Sequence, residues 1–257
     1  MSDVRLRARS TTEIVDAAFS LYRQQPLLYI LAAAAGNVPN LVANLLLQTG
    51  AQSASVATSG VGLLVLILSV VMYGLMSAVV MQLGSRAYLG ETPDLAAAIR
   101  AVWPRVGSVI AAGIVRSFLY GVGLLLLILP FFYFFARYFA VIPIIALEGK
   151  SQPAAFVRSN ELSKGRKGHI LSALLLVWII FFAVTIGAGT LFGLLALGSP
   201  VVSTVISTIV TIAIYPILAL TEMVLYYDTR IRAEGFDLER MAADLGSTVP
   251  GSRAQPG

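Results

Sequence analysis

The stretch VGSVIAAGIVRSFLYGVGLLLLILPFFYFFARYFAVIPIIAL, residues 106–147, decides the fold. Arg116 and Arg137 are its charged residues, and Pro130 interrupts it near the middle. At about 1.5 Å per residue a single helix of this length would be roughly twice as long as the ~30 Å hydrocarbon core of a bilayer is thick. Two crossings joined by a tight turn near Pro130 fit instead. This gives spans at Val106 to Leu129 and Phe131 to Leu147. Apolar run length marks four more, at Leu27 to Gln48, Val61 to Leu89, His169 to Leu197 and Val201 to Tyr227. The sequence therefore predicts an all-α fold, a polytopic membrane bundle of about six transmembrane helices.

Composition agrees. Of 257 residues, 58% are hydrophobic and 12% charged, with mean hydropathy +0.84, whereas soluble domains carry roughly 25% charged residues. The lipid bilayer must take up the excess apolar surface. The net charge of +5 is spread in short groups between apolar runs, without a single basic stripe interleaved with aromatics, which argues against nucleic acid and for contact with anionic lipid head groups. With no cysteine, disulfides, thiolate metal sites and a cysteine nucleophile are excluded. The N-terminal region is basic, but its apolar run begins only near Leu27 and no small-residue cleavage site follows a short apolar core, so no cleaved signal peptide is expected.

The connections at 49–59 (TGAQSASVATS) and 198–200 (GSP) are uncharged. Lys and Arg collect at the other junctions: Arg5, Arg7, Arg9 and Arg23, then Arg86, Arg100 and Arg105, then Lys150, Arg158, Lys164, Arg166 and Lys167, and last Arg230, Arg232 and Arg240. By the positive-inside rule that side is cytoplasmic, and both termini lie there.

The segments ahead of the first, third and fifth spans read alike: TTEIVDAAFSLYRQQPLLYILAAAA, TPDLAAAIRAVWPRVGSVIAAGI and SQPAAFVRSNELSKGRKGHILSALL. Each suggests a short amphipathic helix, a basic corner and a spanning helix. Ser10 with Glu13 forms a capping box, Thr92 precedes Pro93, and Ser151 lies ahead of Pro153. Expected apolar positions are Ile14, Ala18 and Tyr22; Leu95, Ile99 and Val102; and Ala155, the Arg158 stem and Leu162. One transmembrane domain over 1–246 then consists of three units of interfacial helix plus hairpin, with interfacial helices near 11–25, 93–104 and 152–164. The Ser-, Pro- and Gly-rich 247–257 is expected to be a disordered tail.

Two stretches carry more than composition. AAFVRSNELSKGR (154–166), preceded by PIIALEG (143–149), contributes Glu148, Ser159, Leu162, Lys164 and Gly165. LYYDTRIRAEGFDLE (225–239) contributes Tyr227, Asp228, Arg230, Arg232, Glu234, Gly235, Phe236 and Asp237. Together they resemble the membrane domain attached to some bacterial glycerophosphoryl diester phosphodiesterases, with Phe156 where that pattern usually has Leu. Similar domains also stand alone as bacterial membrane proteins. The resemblance implies a multi-helical fold in the bacterial cytoplasmic membrane. In the fused proteins the chemistry belongs to a separate barrel with paired carboxylates, a histidine pair and a divalent metal. This sequence has one histidine and ends soon after its last span, so neither an enzymatic activity nor a cofactor is expected.

His169 lacks a partner at ligand spacing and reads as a solvated interfacial histidine. Gly189 and Gly193 have GxxxG spacing, a signal of close helix contact. Charge is expensive inside a bilayer, so Arg116, Arg137 and Glu222 form a candidate polar centre. Arg116 is expected to pair with Glu222 or a polar stripe, and Arg137 to snorkel to the outer interface among Phe134, Phe135 and Tyr138. Asn37, Asn40, Asn44 and Gln48 make one polar face of the first span, and Ser203, Ser207 and Thr211 one of the last. Such stripes either line a solute path or hydrogen-bond neighbouring helices.

Three functions follow from these features. A non-enzymatic scaffold or accessory subunit, partnered by the lipid bilayer and by a membrane or cytoplasmic protein, requires no catalytic residues. A transporter or lipid-handling permease would use the polar residues near Arg116, Asn40 and Glu222. A membrane-embedded enzyme comes last, because no convergent acid, base and nucleophile can be named.

Overall fold

The computed structural model describes residues 7–49, 60–126, 128–195 and 199–234. These residues are almost wholly helical, with no strand among them. The elements are α1 (Thr11–Gln24), α2 (Pro26–Thr49), α3 (Gly60–Tyr88), α4 (Leu95–Val102), α5 (Val106–Leu125), α6 (Ile128–Arg137), α7 (Gln152–Ser163), α8 (Lys167–Leu195) and α9 (Pro200–Glu234). Five stretches are long and apolar enough to cross a membrane: Gly62–Tyr88, Leu95–Leu125, Ile128–Glu148, Lys167–Phe192 and Val201–Glu234. Helix α2 covers the stretch read as the first span, so the all-α membrane bundle of about six crossings stands.

Helix α1 starts where the sequence places it. The Ser10 hydroxyl accepts from the Glu13 N–H, and the Glu13 carboxylate accepts from the Ser10 N–H at 2.8 Å. Two orphan amides of the first turn are thereby satisfied. The helix buries Ile14, Val15, Ala18 and Leu21 against α8 and α9. At the second unit the cap is Asp94, whose carboxylate accepts from the Ala96 N–H, in place of Thr92. Helix α4 lies along α3 and runs through a 3₁₀ turn (Trp103–Arg105) into α5. It buries Ala98 and Val102, while Ile99, on the expected apolar face, is exposed. Helix α7 buries Ala155, Ser159, Leu162 and Ser163.

The opening stretch forms a hairpin, though its turn differs from the one expected. Helix α5 ends at Leu125, and Pro130 sits in the first turn of α6, where a missing N–H removes no helical bond. The close approach is made by Gly123, where a Cβ would lie 2.8 Å from the Phe131 Cα. The second crossing is interrupted. Helix α6 stops at Arg137, Tyr138–Ala140 forms a bend, and a helical turn (Val141–Pro143) leads into a π turn (Ile144–Glu148). Ser159 bridges the break by accepting from the Ala140 N–H at 3.2 Å and donating to the Arg137 carbonyl at 2.9 Å. Backbone groups freed by the break thus find partners on α7.

Burial is concentrated at the basic end of the bundle. Phe139–Ala146 is buried throughout, packed with Met81, Leu83, Ile170, Leu220 and Met223. Toward the uncharged end, Leu63, Leu64, Leu125, Ile186 and Leu191 are exposed, as lipid-facing side chains are. Gly189 has nothing within 4 Å of a Cβ, so the close contact expected from its GxxxG spacing is not made there; the side chain position of Gly193 lies outside the described residues.

Candidate functional site

The polar residues of the two motifs converge at the basic end of α9. Asp228 is 1% exposed and accepts hydrogen bonds from three separate segments: the Arg9 backbone N–H at 2.6 Å, His169 Nε2 at 2.9 Å and Arg232 Nε at 2.8 Å. A buried carboxylate with three donors is satisfied, and each donor belongs to a chain segment that must stay in place. Arg232 also donates to the Arg9 carbonyl at 2.6 Å, and Arg166 to the Arg232 carbonyl at 2.9 Å. The N-terminal strap, the start of α8 and the end of α9 are tied at one carboxylate. His169, read from the sequence as solvated, therefore has a partner; the partner lies 59 positions away and has no local sequence signal.

One turn along α9, on a different side, lies a second network. The Tyr226 hydroxyl donates to Glu148 Oε1 at 2.8 Å and accepts from Arg230 Nη1 at 3.3 Å, while Arg230 Nε donates to Glu234 at 3.1 Å. Arg158 on α7 bridges both acids, contacting Glu234 and lying 3.6 Å from Glu148. Lys150 adds a cation 3.5 Å from Glu148. The chain enters and leaves this cluster at Gly149 and through the α7–α8 corner at Gly165. Both have φ of +70°, a conformation that glycine adopts without steric cost. At Gly149 a Cβ would also meet the Arg105 guanidinium at 2.9 Å, and Arg105 donates to the Ala146 carbonyl at 2.6 Å. Lys164 is exposed, and Leu162 is core. Tyr227 shares a 2.7 Å hydrogen bond with Ser85 on α3 and stacks on Tyr88. Gly235, Phe236 and Asp237 lie outside the described residues, as does 247–257.

Deeper in the bundle Arg116 on α5 donates to Glu222 on α9 at 2.7 Å, with the Arg116 guanidinium 5.8 Å from the Tyr120 ring centre. The side chains are 21% and 16% exposed, so the pair is largely enclosed. Asn37 is enclosed as well. Its Nδ2 donates to the Ala33 carbonyl at 2.9 Å, and Tyr73 on α3 donates to its Oδ1 at 3.1 Å. That is a helix-to-helix hydrogen bond of the kind polar residues make in lipid. The side chains of Asn40, Asn44 and Gln48 lie outside the described residues. Along the other stripe, Ser207 donates to the Thr204 carbonyl and Thr211 to the Ser207 carbonyl, each within its own helix.

Arg137 departs from its expected place at the outer interface. Its Nη1 donates to the Tyr133 hydroxyl at 3.0 Å, its guanidinium lies 5.3 Å from the Tyr138 ring centre, and the Lys167 ammonium lies 5.2 Å from the Tyr133 ring centre. Lys167 belongs to the basic corner, so Arg137 is directed to that end.

Residues 110–231 match the membrane domain of glycerophosphoryl diester phosphodiesterase. The resemblance carried by the two motifs is thus shown over that stretch. The matched region takes in the Arg116–Glu222 pair, the broken sixth helix, the whole of 154–166, and the second motif through Ile231. It is a membrane domain that matches; the phosphodiesterase's catalytic domain does not enter the comparison. No curated protein and no solved structure matches the chain.

Proposed function

We propose that this integral membrane protein is a non-enzymatic scaffold or accessory subunit of the bacterial cytoplasmic membrane, its basic end and both termini on the cytoplasmic side. One observation carries the reading: the motif groups Asp228, Glu148, Arg232, Glu234 and Ser159 are each engaged in tying separate segments of this chain together. Catalysis would ask for an acid, a base and a nucleophile directed at a substrate. Groups engaged in this way favour an architectural role for the motifs, with the basic end offered to anionic head groups and to a cytoplasmic or membrane partner protein.

Crosslinking in native membranes followed by purification tests the role. A stable, stoichiometric partner is expected; no partner, together with solute flux in liposomes, would overturn it. Orientation is tested separately. Because the chain has no cysteine, single cysteines at Ser151 and Ser199 report sidedness directly. Ser151→Cys is expected to label only after permeabilisation, and Ser199→Cys in intact cells. The Arg116–Glu222 pair favours the second reading, a transporter or lipid-handling permease whose polar path runs near Arg116, Glu222 and Asn40. Its signature would be flux that Glu222→Gln abolishes.

A further inference from the structure

Two cations converge on one tyrosine where the second hairpin meets the last. Arg137 at the end of α6 donates to the Tyr133 hydroxyl, and Lys167 at the start of α8 lies over the same ring. Among the described residues neither cation has a carboxylate within 4 Å, while other basic residues of this end, Arg158, Arg230 and Arg232, do. The Arg137 Nε is buried without a hydrogen-bond partner. Two like charges held at one ring repel one another, and an enclosed guanidinium nitrogen without an acceptor is costly. An anion between them would relieve the repulsion.

The surroundings give the anion a source. From the cations toward the uncharged end, α6 exposes Tyr133, Leu129 and Ile128, and α8 exposes Ile179 and Phe182. A free inorganic anion has no use for such surfaces, whereas acyl chains do. We propose that Arg137, Lys167 and Tyr133 form a binding site for the phosphate of an anionic phospholipid, with its acyl chains along α6 and α8. Arg137 supplies a planar fork suited to phosphate oxygens, Lys167 a mobile point charge, and the tyrosine ring holds the two cations in place. The site rests on the reading that the basic end meets anionic head groups and not on the partner protein, so the scaffold role and the lipid site can fail separately.

Native mass spectrometry of the purified protein with phosphatidylglycerol, phosphatidylcholine or inorganic phosphate tests it. One phosphatidylglycerol is expected to bind about tenfold more tightly than phosphatidylcholine, the scale set by two cations near a phosphate. Lys167→Gln and Arg137→Gln are each expected to remove most of that preference, Arg137→Lys to keep part of it, and Arg100→Gln, an exposed cation elsewhere on this end, to leave it intact. Lys167 is partly exposed at a helix start, so its variant reports even if Arg137→Gln does not fold. Equal binding of the two lipids, an unchanged preference in Lys167→Gln, or displacement of the lipid by millimolar phosphate would overturn the proposal.

Discussion

At the basic end of the bundle several side-chain hydroxyls reach across helices, although Thr229 and Ser163 there bond within their own, and toward the uncharged end hydroxyls turn back on their own helix. Ser85 meets Tyr227, Ser77 meets Tyr215, Tyr22 donates to the Ala213 carbonyl, and Ser159 spans the break beside α6. Thr185, Thr190, Ser207 and Thr211 donate to carbonyls three or four residues earlier in the same helix. The same chemistry is thus used in two ways. In lipid, apolar surface gives helices no hydrophobic reason to associate. Where the chain needs one arrangement of its elements, buried polar contacts and close packing specify it; where helices only need to cross, solvation by lipid suffices.

The sharpest way to break this contrast is to remove Asp228. Asp228→Ala leaves the Arg9 amide, His169 and Arg232 without their acceptor and is expected to cost about 3–5 kcal/mol, the scale for breaking a buried charged network. Thermal unfolding in detergent checks it; a variant as stable as the wild type would remove the knot from the account. Next is Arg116→Leu, expected to lose about 3 kcal/mol because it strands Glu222, whereas Arg116→Leu with Glu222→Leu should recover most of that. If the double variant is as unstable as the single one, the pair does more than neutralise charge.

Gly123→Val is expected to cost about 1–3 kcal/mol through overpacking against the Phe131 backbone, while Gly189→Val, facing open space, should change the unfolding midpoint little. Equal effects would mean that the two ends are equally tight. The smallest effect concerns pH. Arg7 and the Ser10 amide hold the Glu13 carboxylate down at about 2, below its ordinary range. A depressed carboxylate contributes stability that is fully present above its unfolded value and is lost as pH falls through about 2. Fraying of α1, followed by circular dichroism, should begin as pH drops below about 4 and be weaker in Glu13→Gln.

Much of the fold is legible in the sequence because its signals are local. The apolar run lengths place the long spanning helices to within a few residues except at the end of α9, which runs on to Glu234, and the Ser10 capping box is formed as written. Arg116 and Glu222 stand out because charge is rare inside apolar runs. Other features need long-range information. The break at Tyr138–Ala140 is tolerated because Ser159 serves it from another helix, and nothing in YFAVIP announces that. Asp228 is prominent within its motif, yet its partners Arg9 and His169 come from elements more than fifty residues away. GxxxG at Gly189 misleads because spacing alone does not say whether a neighbour is present.

The contrast between the two ends is tested most directly by two serines carrying the same substitution. Ser159 is wholly buried and bonded to a neighbouring element, and Ser207 is exposed and bonded to its own helix. Removing the buried hydroxyl should cost about 1–3 kcal/mol, and one kcal/mol moves the midpoint of a chain of this size by about 2–4 °C. Unfolding midpoints of Ser159→Ala and Ser207→Ala, taken in one detergent, should therefore differ by several degrees, with Ser207→Ala close to the wild type. Equal midpoints, or the larger loss in Ser207→Ala, would contradict a fold held at its basic end.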